Sequence, residues 1–294
     1  MSFLFRVLLT LGILELGVSS VTAQHQVHLD VASFRNDDIA VKGGVVEMYV
    51  TVSGKNLTYQ RRGPKLFQAA ANVTLEAVRN DGTAVYQETL TLKPPVLRDT
   101  TAVIKNPLSF QKRINLPEGR YTVRAQMRDQ YRATNVDIVE VPLTVEFGTG
   151  KPLLSSVVLL SRPASRSAVE ANNFIRNGLS LTRAAGGLYA RGMDKLYFYA
   201  ELYNAPVGQA LNVRYRLRTP KGSKDVATGQ TTATAAQGKP TVVTGELDLS
   251  KVPAGDYSLT VEIRNSKNQV LSTQTTSLRR NPADYAPAGA VMPR

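Results

Sequence analysis

Leu116-Pro-Glu-Gly-Arg-Tyr121 and Val252-Pro-Ala-Gly-Asp-Tyr257 are one phrase, Pro-x-Gly-x-Tyr, written twice in a chain of 294 residues. Each copy is followed by alternating apolar and polar residues, TVRAQMRDQ after Tyr121 and SLTVEIRNSKNQ after Tyr257. Proline stiffens the approach to a turn, and glycine supplies backbone conformations closed to other residues. The tyrosine then opens the next strand. Ile114 and Leu116 precede the first turn as Leu247 and Leu249 precede the second, so the strands before the turns match as well. The phrase reads as architecture, repeated because the module that contains it is repeated.

Outward from those two points, period-two alternation dominates the chain. Val46, Met48, Val50 and Val52 point one way while Glu47, Tyr49 and Thr51 point the other. The same pattern fits 27–32, 73–78, 85–92, 121–127 and 139–147, with the turn signal RNDG at 79–82 closing a hairpin. It returns at 153–160, 195–203, 211–218, 242–249, 257–264 and 269–278. Half-apolar sheets must cover one another, and a tyrosine after a turn can anchor nearby backbone as the tyrosine corner of immunoglobulin-like domains does. The predicted fold is all-β: two tandem immunoglobulin-like or fibronectin-III-like antiparallel β-sandwich domains, 24–148 and 153–280, parted at Gly148-Thr-Gly-Lys-Pro152. Residues 161–194 read as irregular, the Thr- and Ala-rich run 228–238 as exposed, and 281–294, with three prolines, as a disordered tail.

The first 23 residues carry Arg6, an apolar run from Val7 to Val18 and small residues at Val21-Thr22-Ala23, the layout of a cleaved signal peptide with Glu15 as an awkward charge. No later run reaches the roughly 18 apolar residues of a membrane helix. With no cysteine in the chain, no disulfide can staple the fold, so core burial must stabilise it. Asn56-Leu-Thr58 and Asn72-Val-Thr74 match a glycosylation acceptor, a short pattern that arises by chance. Lys and Arg number 36 against 23 Asp and Glu, a formal charge of +13 spread along the chain rather than blocked together. Export makes nucleic acid the least expected polyanionic partner. The expected location is the periplasm, the outer-membrane surface or the exterior.

Only His25 and His28 are available, so Ser-His-acid and Cys-His nucleophilic machinery is all but excluded. Two histidines near an end, with Asp30 beside them, fall short of a closed metal set, and no cofactor or metal is expected. Gly43-Gly44 and Gly186-Gly187 lack the lysine and helix of a phosphate loop. A carboxylate pair can hydrolyse glycosides, yet Glu140, Glu146, Glu201 and Glu262 fall on outward positions of strands and read as solvated; Asp99 and Asp129 sit near turns without a motif. In KLYFYAELYN, Leu196, Phe198, Ala200 and Leu202 form the buried row, leaving Tyr197, Tyr199 and Tyr203 on the opposite face. That face is either a binding surface for a sugar or a protein, or it is covered by 161–194. Arg214, Arg216 and Arg218 line the outward side of another strand as a basic stripe or as protection against edge pairing.

NGLSLTRAAGGLYARGMDKLYFYAELYN at 177–204, LDLSKVPAGDYSLTVEIRNSKNQVL from 247 and RRNP from 279 together resemble the N-terminal portion of GWxTD domain-containing proteins of Bacteroidota. The resemblance covers 153–282 best, on Asn177, Gly178, Leu179, Leu181, Tyr189, Leu196 to Asn204, Pro253, Gly255, Tyr257 and Arg280 to Pro282. It implies an exported envelope protein in which a signal peptide precedes tandem immunoglobulin-like regions, and it implies no functional residue. The chain departs from the family in having no Gly-Trp-x-Thr-Asp sequence and no tryptophan. The expected role is a non-enzymatic envelope structural or protein-interaction component partnered by another envelope protein. A glycan-binding protein using Tyr197, Tyr199 and Tyr203 is the alternative, and an enzyme with paired carboxylates comes third.

Overall fold

The computed structural model describes residues 26–285, excepting 37, 39, 41, 99–106, 149, 167–174 and 236–237, with 284 and 285 described in backbone only. The predicted signal segment, His25, Asp99 and 286–294 lie outside the described residues. The fold is all-β. Its first half holds β1 (Val27–Arg35), β2 (Gly44–Val52), the short pair β3 (Gln60–Gly63) and β4 (Leu66–Gln68), β5 (Ala71–Arg79), β6 (Ala84–Leu92), β7 (Leu108–Leu116), β8 (Gly119–Asp129) and β9 (Val136–Val145). The second half holds β10 (Leu153–Leu154), β11 (Val158–Leu160), the small sheet of β12 (Ser165–Arg166), β13 (Ile175–Arg176) and β14 (Leu179–Ser180), then β15 (Leu188–Arg191), β16 (Lys195–Tyr203), β17 (Ala210–Arg218), β18 (Ala227–Thr234), β19 (Thr241–Asp248), β20 (Gly255–Arg264) and β21 (Val270–Tyr285).

In each half two sheets share a core. In the first half, the inner sheet β1-β2-β7 faces the outer sheet β6-β5-β8-β9. The alternating rows Val46, Met48, Val50 and Val52 of β2, Val73, Leu75 and Ala77 of β5, and Tyr121, Val123, Ala125 and Met127 of β8 meet there. In the second half, the inner sheet joins β10 and β11 to β16 and β16 to β19, and faces the outer sheet β15-β21-β20-β17-β18. Its core takes the expected row Leu196, Phe198, Ala200 and Leu202 together with Leu211, Val213 and Leu217 of β17 and Leu259, Val261 and Ile263 of β20. The pairings are antiparallel except β15 with β21, which is parallel and is locked by buried Arg280 reaching the carbonyls of Ala190 (3.0 Å) and Met193 (2.9 Å) and the Asp194 carboxylate (2.7 Å).

The repeated phrase builds the same corner twice. Tyr121 donates its hydroxyl to the Pro117 carbonyl at 2.8 Å, and Tyr257 donates to Pro253 at 3.0 Å. Gly119 and Gly255 take φ of +156° and +157°, which side chains with a Cβ rarely adopt.

Four expectations change. Residues 161–194 are not irregular throughout, since β12, β13 and β14 form a small sheet and β15 pairs with β21. Residues 228–238 are not simply an exposed run, since Ala227–Thr234 forms β18, the edge strand paired with β17; threonines favour the extended backbone. The stretch 153–160 divides into β10 and β11 because Ser155 turns to the seam described below, donating its backbone N–H to the Glu201 carbonyl at 2.8 Å. The last strand also runs past 280 to Tyr285, taking in residues expected in the tail.

Between the halves lies a third cluster. Ala32 and Phe34 of β1 pack with Val158 and Leu160 of β11, Leu181 and Tyr199. The outward faces of the two inner sheets therefore cover each other, with 175–187 wedged between them. Backbone crosses the seam too, as Ser156 donates to the Ser33 carbonyl at 3.2 Å.

Candidate functional site

The seam is where side chains with chemistry converge. Glu47 stands on the outward face of β2 and Glu201 on that of β16, yet both are buried, at 1% and 0% exposure. Arg176 enters between them from β13. Its Nε donates to Glu201 Oε1 at 2.7 Å and its Nη1 to Glu47 Oε1 at 3.0 Å, while its guanidinium lies 3.8 Å from the Phe34 ring centre. Burial by itself would lower the arginine's proton affinity, but the two carboxylates outweigh it and the pKa moves up. Arg176 is thus fixed as a cation between two anions.

Each carboxylate has further donors. Glu47 accepts from Arg113 Nη2 at 2.6 Å and from the Tyr49 hydroxyl, and the Tyr49 ring carries Arg183 at 3.5 Å. Glu201 accepts from the hydroxyls of Tyr199 at 2.9 Å and Tyr203 at 2.6 Å, and from Asn177 Nδ2 at 2.9 Å. Tyr203 Oη in turn accepts the Arg35 backbone N–H at 3.0 Å. Burial first, then the adjacent Glu201 charge, push the Tyr199 and Tyr203 pKa values above the ordinary tyrosine value. These phenols stay protonated and act as donors.

That arrangement corrects the reading of two glutamates as solvated and decides for the covered alternative at Tyr199 and Tyr203. Glu201 and Glu262 are not solvated: the first is sealed in the seam, and the second, 6% exposed, is held by Arg216 and Arg264. Nor do Tyr197, Tyr199 and Tyr203 share an open face. Asn177, from the segment 161–194, caps Tyr199 at 2.7 Å, and Tyr203 is buried against Phe147 of the first half with ring centres 5.6 Å apart. Only Tyr197 stays half-buried, at the rim of a recess. Sequence reasoning missed Glu47, Arg176 and Asn177. A signal was present in Tyr-x-Glu-x-Tyr at 199–203 and Glu-x-Tyr at 47–49, where aromatic rings two residues from a carboxylate crowd water away from it.

The arginine stripe lies elsewhere, on the outward face of the outer sheet. Its strand β17 runs between β20 and β18, so these residues guard no edge. Arg216 pairs with Glu262 at 2.5 Å, Arg218 pairs with Asp225, and Arg214 has no hydrogen-bond or ion-pair partner among the described residues. Arg214 and Arg216 border an open recess of about 400 Å³; Arg218 does not. A second recess, of about 340 Å³, adjoins it. Neither is lined by Glu47 or Glu201. His28 sits beside Gly186, while Asp30 accepts the Gly186 N–H at 2.9 Å and faces Arg183. Asp129 caps the backbone of Thr58 and Tyr131. Among the described residues no three His, Asp or Glu gather as for a metal ion, and no helix is long and apolar enough to cross a membrane.

No family model matches the chain, and no curated protein does. Among solved structures it is similar to a calcium-binding mutant of Bacteroides uniformis β-glucuronidase 2, at 11% identity and a TM-score of 0.28 over 84% of this chain and 28% of that one. It is similar likewise to a Bacteroides uniformis β-glucuronidase, at 11% identity and 0.29 over 86% and 32%. The fibronectin(III)-like modules of Clostridium thermocellum CbhA give 12% identity and 0.22 over 87% and 97%. The chain thus spans less than a third of the length of either β-glucuronidase, and at these TM-scores none of the three carries an argument about it.

Proposed function

We propose that the chain is a non-enzymatic, exported component of the cell envelope, a rigid spacer of two tandem immunoglobulin- or fibronectin-III-like sandwiches that holds another envelope protein at a set distance. One observation carries the reading: Arg176 bridges Glu47 and Glu201 across the seam. A buried ion pair costs several kcal/mol of desolvation per ion and gives little net stability. What it supplies is a single allowed geometry, and a fixed geometry between modules is the property a spacer needs. The N-terminal export pattern and the resemblance to the N-terminal portion of GWxTD proteins support the envelope location. The tethering of both carboxylates by cations speaks against their use as an acid and base pair.

With no native cysteine, spin labels can be placed by Thr91→Cys and Thr260→Cys, both on outer sheets. A single narrow distance distribution, together with recovery of the protein in the envelope fraction with a stoichiometric partner, is the expected outcome. A broad distribution, a cytoplasmic location, or turnover of chromogenic glycosides abolished by Glu201→Gln would overturn the reading.

A further inference from the structure

The two recesses on the second half meet at Tyr215 and Gln230, which the proposed spacer role does not use. Tyr215 belongs to the core row of β17 and is 5% exposed, its ring edge-on to Phe198 at 5.0 Å. Its hydroxyl has no hydrogen-bond partner among the described residues and is not among the buried unpaired polar atoms, so it is open to a ligand or solvent. Tyr215 and Gln230 line both recesses, so the hydroxyl stands where they join. Gly229 makes room for this. A Cβ there would lie 2.2 Å from the tyrosine ring and 2.8 Å from its oxygen, so the missing side chain lets the phenol emerge beside the edge strand β18.

The surroundings are sorted by chemistry. The first recess is bordered by Arg214, Arg216 and Arg264 against Glu262 and Asp225, and Asp225 is already held by Arg218 from outside. Glu262 is shared between Arg216 and Arg264, and Arg216 Nε is buried without an acceptor. Guanidinium groups with unused donors are suited to a planar anion, above all a carboxylate. The second recess offers hydroxyl and amide groups from Thr231, Thr244 and Gln230 and the half-buried ring of Tyr197. Pro163, Ala164 and Phe198 line it too, with Glu246 as its one acidic lining residue.

We propose that these joined recesses bind an acidic saccharide, with a uronic acid carboxylate at Arg214 and Arg216, a ring hydroxyl on Tyr215 Oη and the next sugar against Tyr197. The second recess borders the seam cluster through Ala164 and Tyr197, but neither recess is lined by Glu47, Arg176 or Glu201, so failure to bind would leave the spacer reading untouched.

Calorimetric titration of the purified protein tests this with a uronic acid trisaccharide, the neutral trisaccharide of the same linkage, hexaglutamate and inorganic sulfate. The uronic trisaccharide is expected to bind at least about tenfold more tightly than the other three, since it alone combines a carboxylate with ring hydroxyls. Arg214→Ala, on an exposed side chain, and Tyr215→Phe, which keeps the ring, should each weaken that binding by about tenfold with the melting temperature unchanged. No heat with the uronic trisaccharide, equal affinity for the neutral sugar or sulfate, tighter binding of hexaglutamate, or indifference to Arg214→Ala would each overturn the proposal.

Discussion

The outward face of β16 and the outward face of β17 look alike in one dimension and differ in three. Both alternate an apolar row with a polar one, and both polar rows mix long side chains with hydrogen-bonding groups. On β16 that row, Tyr199, Glu201 and Tyr203, is sealed by the first half of the chain and by 175–187. On β17 the row Arg214, Arg216 and Arg218 lies open or half-open. Alternation reports which side of a strand points away from its own core. It is silent on whether a second layer arrives to cover that side, because the covering residues come from distant parts of the chain.

Four measurements test whether the covered face and the open face differ in this way. Arg176→Ala removes the cation shared by two buried carboxylates and should cost about 3–5 kcal/mol in urea unfolding. A loss near zero would mean that water reaches the seam and that the two faces are equivalent after all. Alkaline titration probes the same seam without mutation. Tyr49, Tyr199 and Tyr203 have pKa values raised by burial first, so they bind protons more tightly folded than unfolded. Stability should be fully present below pH about 10, the ordinary tyrosine value, and should fall as pH rises toward the higher folded values. Unfolding curves with no alkaline slope would contradict this, as would ionisation of these tyrosines in the folded state followed at 295 nm, a wavelength at which phenolate absorbs.

Smaller effects calibrate the scale. Tyr121→Phe and Tyr257→Phe each delete one hydroxyl bond to a proline carbonyl, and equal losses of about 1 kcal/mol are expected in denaturant melts. Unequal losses would show that the two corners are alike in geometry only. Thr260→Ala, on the open outer face, removes a hydroxyl contact with Thr275 and should stay within about 0.5 kcal/mol in the same melts. A larger loss there would mean that this face is covered as well.

These contrasts mark what was legible in the sequence. The core rows of β2, β5, β8, β16, β17 and β20 follow from period-two patterning, and the paired corners from Pro-x-Gly-x-Tyr, because both are local. Strand β18 escaped, since ATGQTTAT is made of threonine, glutamine and small residues and has no strong apolar row. Of the six residues singled out for binding, the structure brings Tyr199 and Tyr203 together as buried donors to Glu201, and Arg214 and Arg216 together at a recess. It leaves Tyr197 at the rim of the neighbouring recess and gives Arg218 to Asp225. Arg176 lay in a segment without periodicity, and its partners are 129 and 25 positions away, so no window on the sequence contains the three charges.

That separation has a consequence in time. A chain synthesised amino end first presents β1 and β2 long before Arg176 and β16 arrive. Until then Glu47 keeps its hydration and Phe34 stands in water, so the first half begins life with a sticky, unfinished side. The second half completes that side by docking, and the closing contacts have high sequence separation, which slows folding. The interval between the appearance of residue 47 and that of residue 201 is therefore the period in which this face is uncovered, and the one in which a chaperone would have something to hold.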